Sequence, residues 1–295
     1  MNNKNNLAGV VTLYYPDVST VENIGSYVHY LDCLYVINNE GADDIINELK
    51  KHYKNIEVIH ESENMGIAFP LNQVLNKVKD KYEFLLTMDQ DSRFFNGCIE
   101  RYIAEIENFD WHSTLGIAPV LVDDTFNTHS LCTVAHRTDW IKKFRVITSG
   151  NIISVKNAIA IGGFDEKLFI DEVDHEFCYN GNSKGFFSYQ CTNNIFLKHK
   201  IGNMVEVKLL GMIFYPPRYN YIRTYYNTRN RLYVYKKYHS LQEWWFLKYY
   251  LFSIIKLFVC KLFYEEDKKR RIKAIFIGIK DFINGKMGKK YNFDM

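Results

Sequence analysis

Up to about residue 205, short apolar runs alternate with segments of helical spacing. Leu7–Tyr14 (LAGVVTLY) is short and β-branched and stops at Tyr15-Pro16-Asp17, which predicts a buried strand. Cys33–Asn38, Ile56–His60 and Phe84–Met88 repeat that pattern. Between them, Val18–Leu31, Asp43–Tyr53 and Ile67–Lys79 place apolar residues at helical intervals. Strands and helices alternating at this pitch predict βαβ units and a largely parallel sheet. A further helix is expected over Cys98–Phe109, and further strands over Leu115–Val122 and Ile152–Val155. Beyond about residue 205 the pattern changes to long aromatic and basic helices. The expected organisation is therefore an α/β domain over 1–205 and a helical region over 206–295.

Composition narrows this picture. At 295 residues with 47% hydrophobic and 24% charged residues, the chain can bury a real core. A net charge of +3 is too small to argue for a nucleic-acid partner. The six cysteines lie far apart with no C-x-x-C pair, and the polar start Met-Asn-Asn-Lys-Asn-Asn lacks the apolar segment of a secretory signal. Reduced thiols and a cytoplasmic location are the expectation.

The candidate chemistry begins where the fourth apolar run ends, at Asp89-Gln90-Asp91. Residues i and i+2 of an extended segment point the same way, so a continuing strand would bring both carboxylates to its C-terminal end. That edge is where ligands bind in open α/β sheets, and hard oxygen ligands suit Mg²⁺ or Mn²⁺. A polar turn closing a strand would read the same way. Tyr14-Tyr15-Pro16 and Asn38-Asn39-Glu40 end the first two strands, where a nucleotide would bind or a plain turn would sit. Asn64-Met65-Gly66-Ile67-Ala68 precedes a helix whose N-terminus favours phosphate, and Gly66 permits close backbone approach. Phe169–Glu176 carries four acids in six residues among apolar neighbours, the setting of a general base or of an acid-decorated helix start. His199 gains interest only if it meets the Asp89–Asp91 pair.

Taken in order from about Ala8 to Asn230, these segments resemble the inverting GT-A glycosyltransferases of family 2, in particular the bacterial rhamnosyltransferase branch that builds O-antigen and capsular polysaccharides. The carrying segments are Thr12-Leu-Tyr-Tyr-Pro16, Ile37-Asn-Asn-Glu-Gly41, Asn64-Met-Gly-Ile-Ala68 and Met88-Asp-Gln-Asp-Ser92. Ser149-Gly150, Gly162–Asp165, Phe169–Glu176, His199–Gly202 and Arg229-Asn230 continue the series. Asn38 stands where the family usually has a nucleotide-contacting Asp. The resemblance implies a mostly parallel Rossmann-like GT-A sheet and transfer of a sugar from a nucleotide donor. The donor leading is dTDP-L-rhamnose, with UDP-galactose, UDP-glucose and UDP-galactofuranose as alternatives. The acceptor would be a hydroxyl of a glycan or of an undecaprenyl-diphosphate-linked saccharide. It further implies that Asp89, Asp91 and His199 bind Mg²⁺ or Mn²⁺. Thr12, Tyr14, Pro16, Asn38, Asn39, Asn64, Gly66, Asp89, Gln90, Ser149, Gly150 and Arg229 would hold the nucleotide sugar, Arg229 at the diphosphate. The base would be Asp171, then Glu172, with Asp174 one turn along. A nucleotide-sugar-binding protein without turnover, and a nucleotidyltransferase, are the competing classes. No Gly-rich, Arg/Lys-bearing loop near the N-terminus supports the latter.

Trp244–Tyr264 has the length of a membrane span, but Lys248, Lys256 and Lys261 interrupt it. Such a segment, followed by basic Lys268–Lys273, would lie in the membrane interface at the inner face of a bacterial plasma membrane. Alternatively it would pack on the catalytic domain or on a second copy in a homodimer.

Overall fold

The computed structural model describes residues 6–122, 137–199, 207–209, 212–214, 220–239 and 267–291. The chain divides into two compact units, one of residues 1–164 with 177–200, the other of residues 165–176 with 201–295. The acidic segment thus groups with the helical C-terminal region rather than with the sheet that precedes it in sequence. Trp244–Tyr264 lies outside the described residues, as do Ile201 and Gly202. Among the described residues no helix is long and apolar enough to cross a membrane.

The first unit is built on strands β1 (Leu7–Tyr14), β2 (Cys33–Glu40), β3 (Ile56–His60), β4 (Phe84–Asp89), β6 (Thr114–Ala118), β8 (Trp140–Lys143), β9 (Asn151–Ser154) and β10 (Phe187–Cys191). They form one sheet in the order β3-β2-β1-β4-β9-β6-β10-β8. β1 pairs in parallel with β2 and β4, and β2 with β3. β9, which covers most of the strand expected over Ile152–Val155, is antiparallel to both β4 and β6. The apolar β1 is buried along nearly its whole length, as a strand covered on both faces requires. A second sheet combines β5 (Arg93–Phe94), β7 (Val120–Val122) and β11 (Phe196–Lys198). The single strand expected over Leu115–Val122 is divided between the two sheets at Pro119, which has no N–H to give a ladder.

Helices α1 (Ser19–Gly25), α2 (Asp43–His52), α3 (Ala68–Val78), α4 (Cys98–Ala104) and α5 (Val155–Ile161) serve as connections. The helix expected over Val18–Leu31 ends early, where Ser26 Oγ donates to the Asn23 carbonyl, and resumes only as a 3₁₀ turn at Val28–Tyr30. In α2, Asp43 and Asp44 open the helix and Lys50, Lys51 and His52 close it, each sign matching the helix dipole. The start of α5 is capped by Ser154, and Gly162 terminates it in the left-handed conformation.

Helix α6 (Val173–Ser183) follows the acidic segment, and α7 (Tyr221–Tyr238) and α8 (Lys268–Ile283) complete the second unit with the hairpin β12 (Val207–Leu209) and β13 (Met212–Phe214). Tyr225, Tyr226 and Ala274 form the buried centre of the α7–α8 pair, with Phe169 and Ile170 packed against it. Gly278 allows that approach, because a Cβ there would stand 3.0 Å from the Tyr225 carbonyl oxygen.

Candidate active site

The carboxyl edge of β1 and β4 carries the first cluster. Thr12 lies opposite Asp89 in the parallel register, and β4 stops at Asp89. The next residues turn instead of extending, with the Ser92 N–H donating to the Asp89 carbonyl at 3.2 Å. The carboxylates of Asp89 and Asp91 therefore come together across a turn, not through the strand pleat that the sequence reading assumed. The Asp89 N–H donates to Ser149 Oγ at 3.2 Å, which gives Ser149 an anchoring role at the edge. Gly150, at φ +78°, packs against Pro119 and Leu197, with no room for a Cβ.

His199 arrives from the second sheet. Antiparallel pairing of Lys198 with Arg93 sets His199 alongside Ser92, and the His199 N–H continues the ladder to the Val122 carbonyl. His199 Nδ1 stands 4.0 Å from Asp89 Oδ2 and 3.7 Å from Asp91 Oδ1. Ser92 Oγ lies 2.7 Å from that nitrogen and 3.3 Å from Asp91 Oδ1, so a buried hydroxyl bridges the imidazole and the carboxylate. One ligand atom from each of Asp89, Asp91 and His199 falls within 4.8 Å of the others. That span is close to the roughly 4 Å separating opposite ligands of a Mg²⁺-sized ion. Two hard oxygens and one imidazole, partly open to solvent, fit a divalent cation that keeps further positions for phosphate. Beneath them Tyr27 is fully buried, and its hydroxyl has no hydrogen-bond partner among the described residues. Burial, with the nearby charge of Asp89, pushes that hydroxyl far above the ordinary tyrosine range.

The residues expected to line a nucleotide site serve the loops of this edge. Gln90 is spent on the backbone of Tyr14, accepting from its N–H at 2.8 Å and donating to its carbonyl at 3.2 Å. Asn38 accepts from the Ala42 N–H at 3.3 Å and donates to Asp43 at 2.8 Å, so it caps the approach to α2. Asn39 donates to Asn64 Oδ1 and the Gly66 carbonyl, both at 3.1 Å, and accepts from the Met65 N–H. Tyr14 and Tyr15 project from the β1 end, half to mostly exposed and edge-to-face at 4.9 Å. Thr12 and Pro16 are half-buried beside them.

The acidic segment is held within the second unit. Asp171 and Glu172 are consecutive left-handed residues at φ +65° and +67°, a conformation that costs a side-chain-bearing residue about 1–2 kcal/mol. Arg223 donates to Asp171 at 2.6 Å, and Arg231 to Glu172 at 3.1 Å, while His175 Nδ1 lies 3.0 Å from Glu172. Both carboxylates expected to act as the base are thus engaged by guanidinium groups. Asp174, in the first turn of α6 and half-buried, accepts the N–H of His175 at 2.8 Å and forms no ion pair among the described residues. Arg229, expected at a diphosphate, is instead only 1% exposed. It donates to Asn230, Tyr225 and the Gly288 carbonyl, with its guanidinium 5.1 Å from the ring centres of Tyr225 and Tyr226. The pairings of Arg223 and Arg231 were missed by the sequence reading, because eight-residue spacing on one helix says nothing about a partner some fifty residues away.

Nearby, Lys237 bridges Asp165 at 2.9 Å and the fully buried Glu176 at 2.7 Å. Burial pushes Asp165 up, but hydrogen bonds from Tyr233 and Lys237 prevail and hold it below its usual value. Burial pushes Glu176 up against the pull of Lys237 and Tyr238. Lys237→Met would leave Glu176 buried without its cation, a loss of about 3 kcal/mol near pH 8. Glu176 would then hold a proton more tightly folded than unfolded, so stability falls as pH rises and the penalty is smaller at pH 5. Denaturant titrations of both proteins at the two pH values check this. An equal penalty at both would contradict it.

The mostly parallel sheet with a carboxylate pair and a histidine at its edge is a GT-A-like fold. Residues 23–164, just under half of the chain, match the family model of Glycosyl transferase family 2. The match takes in Asp89, Asp91 and Ser149-Gly150, and stops before the acidic segment and His199. Over 298 residues the chain is 25% identical to a dTDP-rhamnosyl transferase, RfbF, of Shigella flexneri, covering 95% of this chain and 97% of that one. Among solved structures it is similar to GalNAc-T7 with UDP, GalNAc and Mn²⁺, at a TM-score of 0.58 and 14% identity. That alignment covers 96% of this chain and 57% of the other, so the chain spans little more than half of that protein.

Proposed function

We propose that the protein transfers a hexose, L-rhamnose from dTDP-L-rhamnose, to a hydroxyl of a glycan or lipid-linked acceptor with inversion at the anomeric carbon. The Asp89–Asp91–His199 cluster at the carboxyl edge of a family 2 domain carries this reading. The similarity to a dTDP-rhamnosyl transferase supports the choice of donor. Asp89, Asp91 and His199 would hold Mg²⁺ or Mn²⁺, which supplies positive charge against the diphosphate as it departs.

The protein's own groups supply the remainder. Ser92 orients His199 between the two carboxylates, and Gln90 ties the turn that bears them to the end of β1. Asn39 and Asn64 take up the N–H groups of Met65 and Gly66 and so shape the loop ahead of α3, whose first-turn N–H groups would meet the donor. Asp174 would take the proton of the acceptor hydroxyl as the new C–O bond forms and the bond to the diphosphate breaks. Asp171 and Glu172 are left out of that role because their oxygens are engaged by Arg223 and Arg231. Incubation with dTDP- and UDP-sugars tests the reading: release of dTDP from dTDP-L-rhamnose, dependent on the divalent ion, is expected. Faster release of UDP from UDP-galactose, UDP-glucose or UDP-galactofuranose would reassign the donor.

A lipid-linked acceptor also accounts for one face of α8. Lys269, Lys273, Phe276, Lys280 and Ile283 recur at three- and four-residue intervals and are all exposed, opposite the buried Arg271, Ala274, Ile275, Gly278 and Asp281. Lysines interleaved with large apolar side chains suit an anionic membrane surface. Flotation with phosphatidylglycerol liposomes is expected to carry the full chain. Phe276→Ser combined with Ile283→Ser should reduce the floated fraction several-fold, and unchanged flotation would remove α8 from this role.

A further inference from the structure

The Arg229-Asn230 pair is not used by the reaction as described above, and its contacts lead directly to the acidic segment. Asn230 is fully buried on α7. Its single amide nitrogen donates to two consecutive carbonyls, Ile170 at 2.7 Å and Asp171 at 3.1 Å. In extended chain such carbonyls point opposite ways, and here the left-handed φ of Asp171 goes with their turning toward one donor. The amide itself is oriented by Arg229, whose Nε donates to Asn230 Oδ1 at 3.0 Å. Arg229 is in turn fixed by the Tyr225 hydroxyl at 3.0 Å and the Gly288 carbonyl at 2.9 Å. On the same helix Arg223 and Arg231 hold the side chains of Asp171 and Glu172. The Glu172 carbonyl accepts from the Glu176 N–H at 2.9 Å, so this residue begins the hydrogen bonding of α6 and fixes where Asp174 stands on its first turn.

We infer that Asn230, oriented by Arg229, is a positioning residue: it locks the strained Asp171–Glu172 turn and thereby sets Asp174 in place for proton transfer. The inference rests on the transferase reading with Asp174 as base. A displaced general base lowers turnover without weakening donor binding, because the donor is held by other groups.

The test compares the full-length protein with Asn230→Asp, which keeps the shape but replaces the donor by an acceptor facing two carbonyls. Two readouts are needed: amide hydrogen exchange over residues 170–176, and kcat against KM for dTDP-L-rhamnose followed as dTDP release. Exchange in that segment should rise at least about tenfold, with kcat falling about 10- to 100-fold and KM changing less than about twofold. Asn230→Ala, which removes the donors without adding charge, serves if Asn230→Asp does not fold. Unchanged exchange in the folded variant would overturn the inference, and so would faster exchange with unchanged kcat. Asp174→Asn separates the two ideas. If that variant retains full turnover, the base assignment falls and the catalytic part of this inference with it. If it loses turnover while Asn230→Asp keeps both readouts at their original values, only the positioning role falls.

Discussion

Asp91→Ala is expected to lower donor turnover by about 10²–10³-fold at matched metal concentration, while the fold stays intact. Asp91 supplies one of three ligand atoms within 4.8 Å, and its side chain is 46% exposed. Its burial energy is therefore small, and removal should shift stability by no more than about 0.5 kcal/mol. On the proposed reading, the same substitution would withdraw a negative ligand from the place where charge builds on the leaving diphosphate. Its effect on the reaction should accordingly far exceed its effect on folding. Thermal unfolding with and without Mn²⁺ separates the two, since the original protein should be stabilised by the ion and the variant much less. Near-normal turnover in Asp91→Ala would remove the ion from its assigned place.

The second large effect is expected at Asp174. Asp174→Asn should lower kcat by about 10²–10⁴-fold with donor KM nearly unchanged, the range for loss of a general base. Asp171→Asn should behave differently. Its carboxylate is 7% exposed and paired with Arg223, so losing the charge should cost stability first and turnover only as the segment loosens. Measuring kcat and thermal midpoint for both variants distinguishes these patterns. If Asp171→Asn were as inactive as Asp174→Asn and as stable as the original protein, the base would be Asp171.

These two sites differ in how much of them the sequence discloses. The strands Leu7–Tyr14 and Ile56–His60 are legible to the residue, because each is an apolar run closed by turn-forming or polar neighbours. The direction of β9 is not, since four buried residues read the same parallel or antiparallel. Asp89 and Asp91 are visible as a pair, but the turn that joins them depends on where β4 loses its neighbours. His199 reaches them through the pairing of Lys198 with Arg93, a contact between segments more than 100 residues apart. No local pattern encodes that pairing, so the sequence marks His199 as a ligand only on condition that it meets the acidic pair. Asp171 and Glu172 stood out as acids among apolar residues. What periodicity could not supply was the pair of arginines on α7 that engages them, or the left-handed backbone of both residues. Arg229 likewise reads as a phosphate ligand by residue type, and burial against Tyr225, Tyr226 and the Gly288 carbonyl gives it a different task.

The most direct measurement is the identity of the nucleotide released when the full chain is incubated with dTDP-L-rhamnose and a saccharide acceptor, with Mg²⁺ or Mn²⁺ and then with chelator. dTDP and an inverted rhamnosyl product are expected with the ion, and about 100-fold less of both without it. Release of pyrophosphate, or turnover indifferent to the chelator, would contradict it.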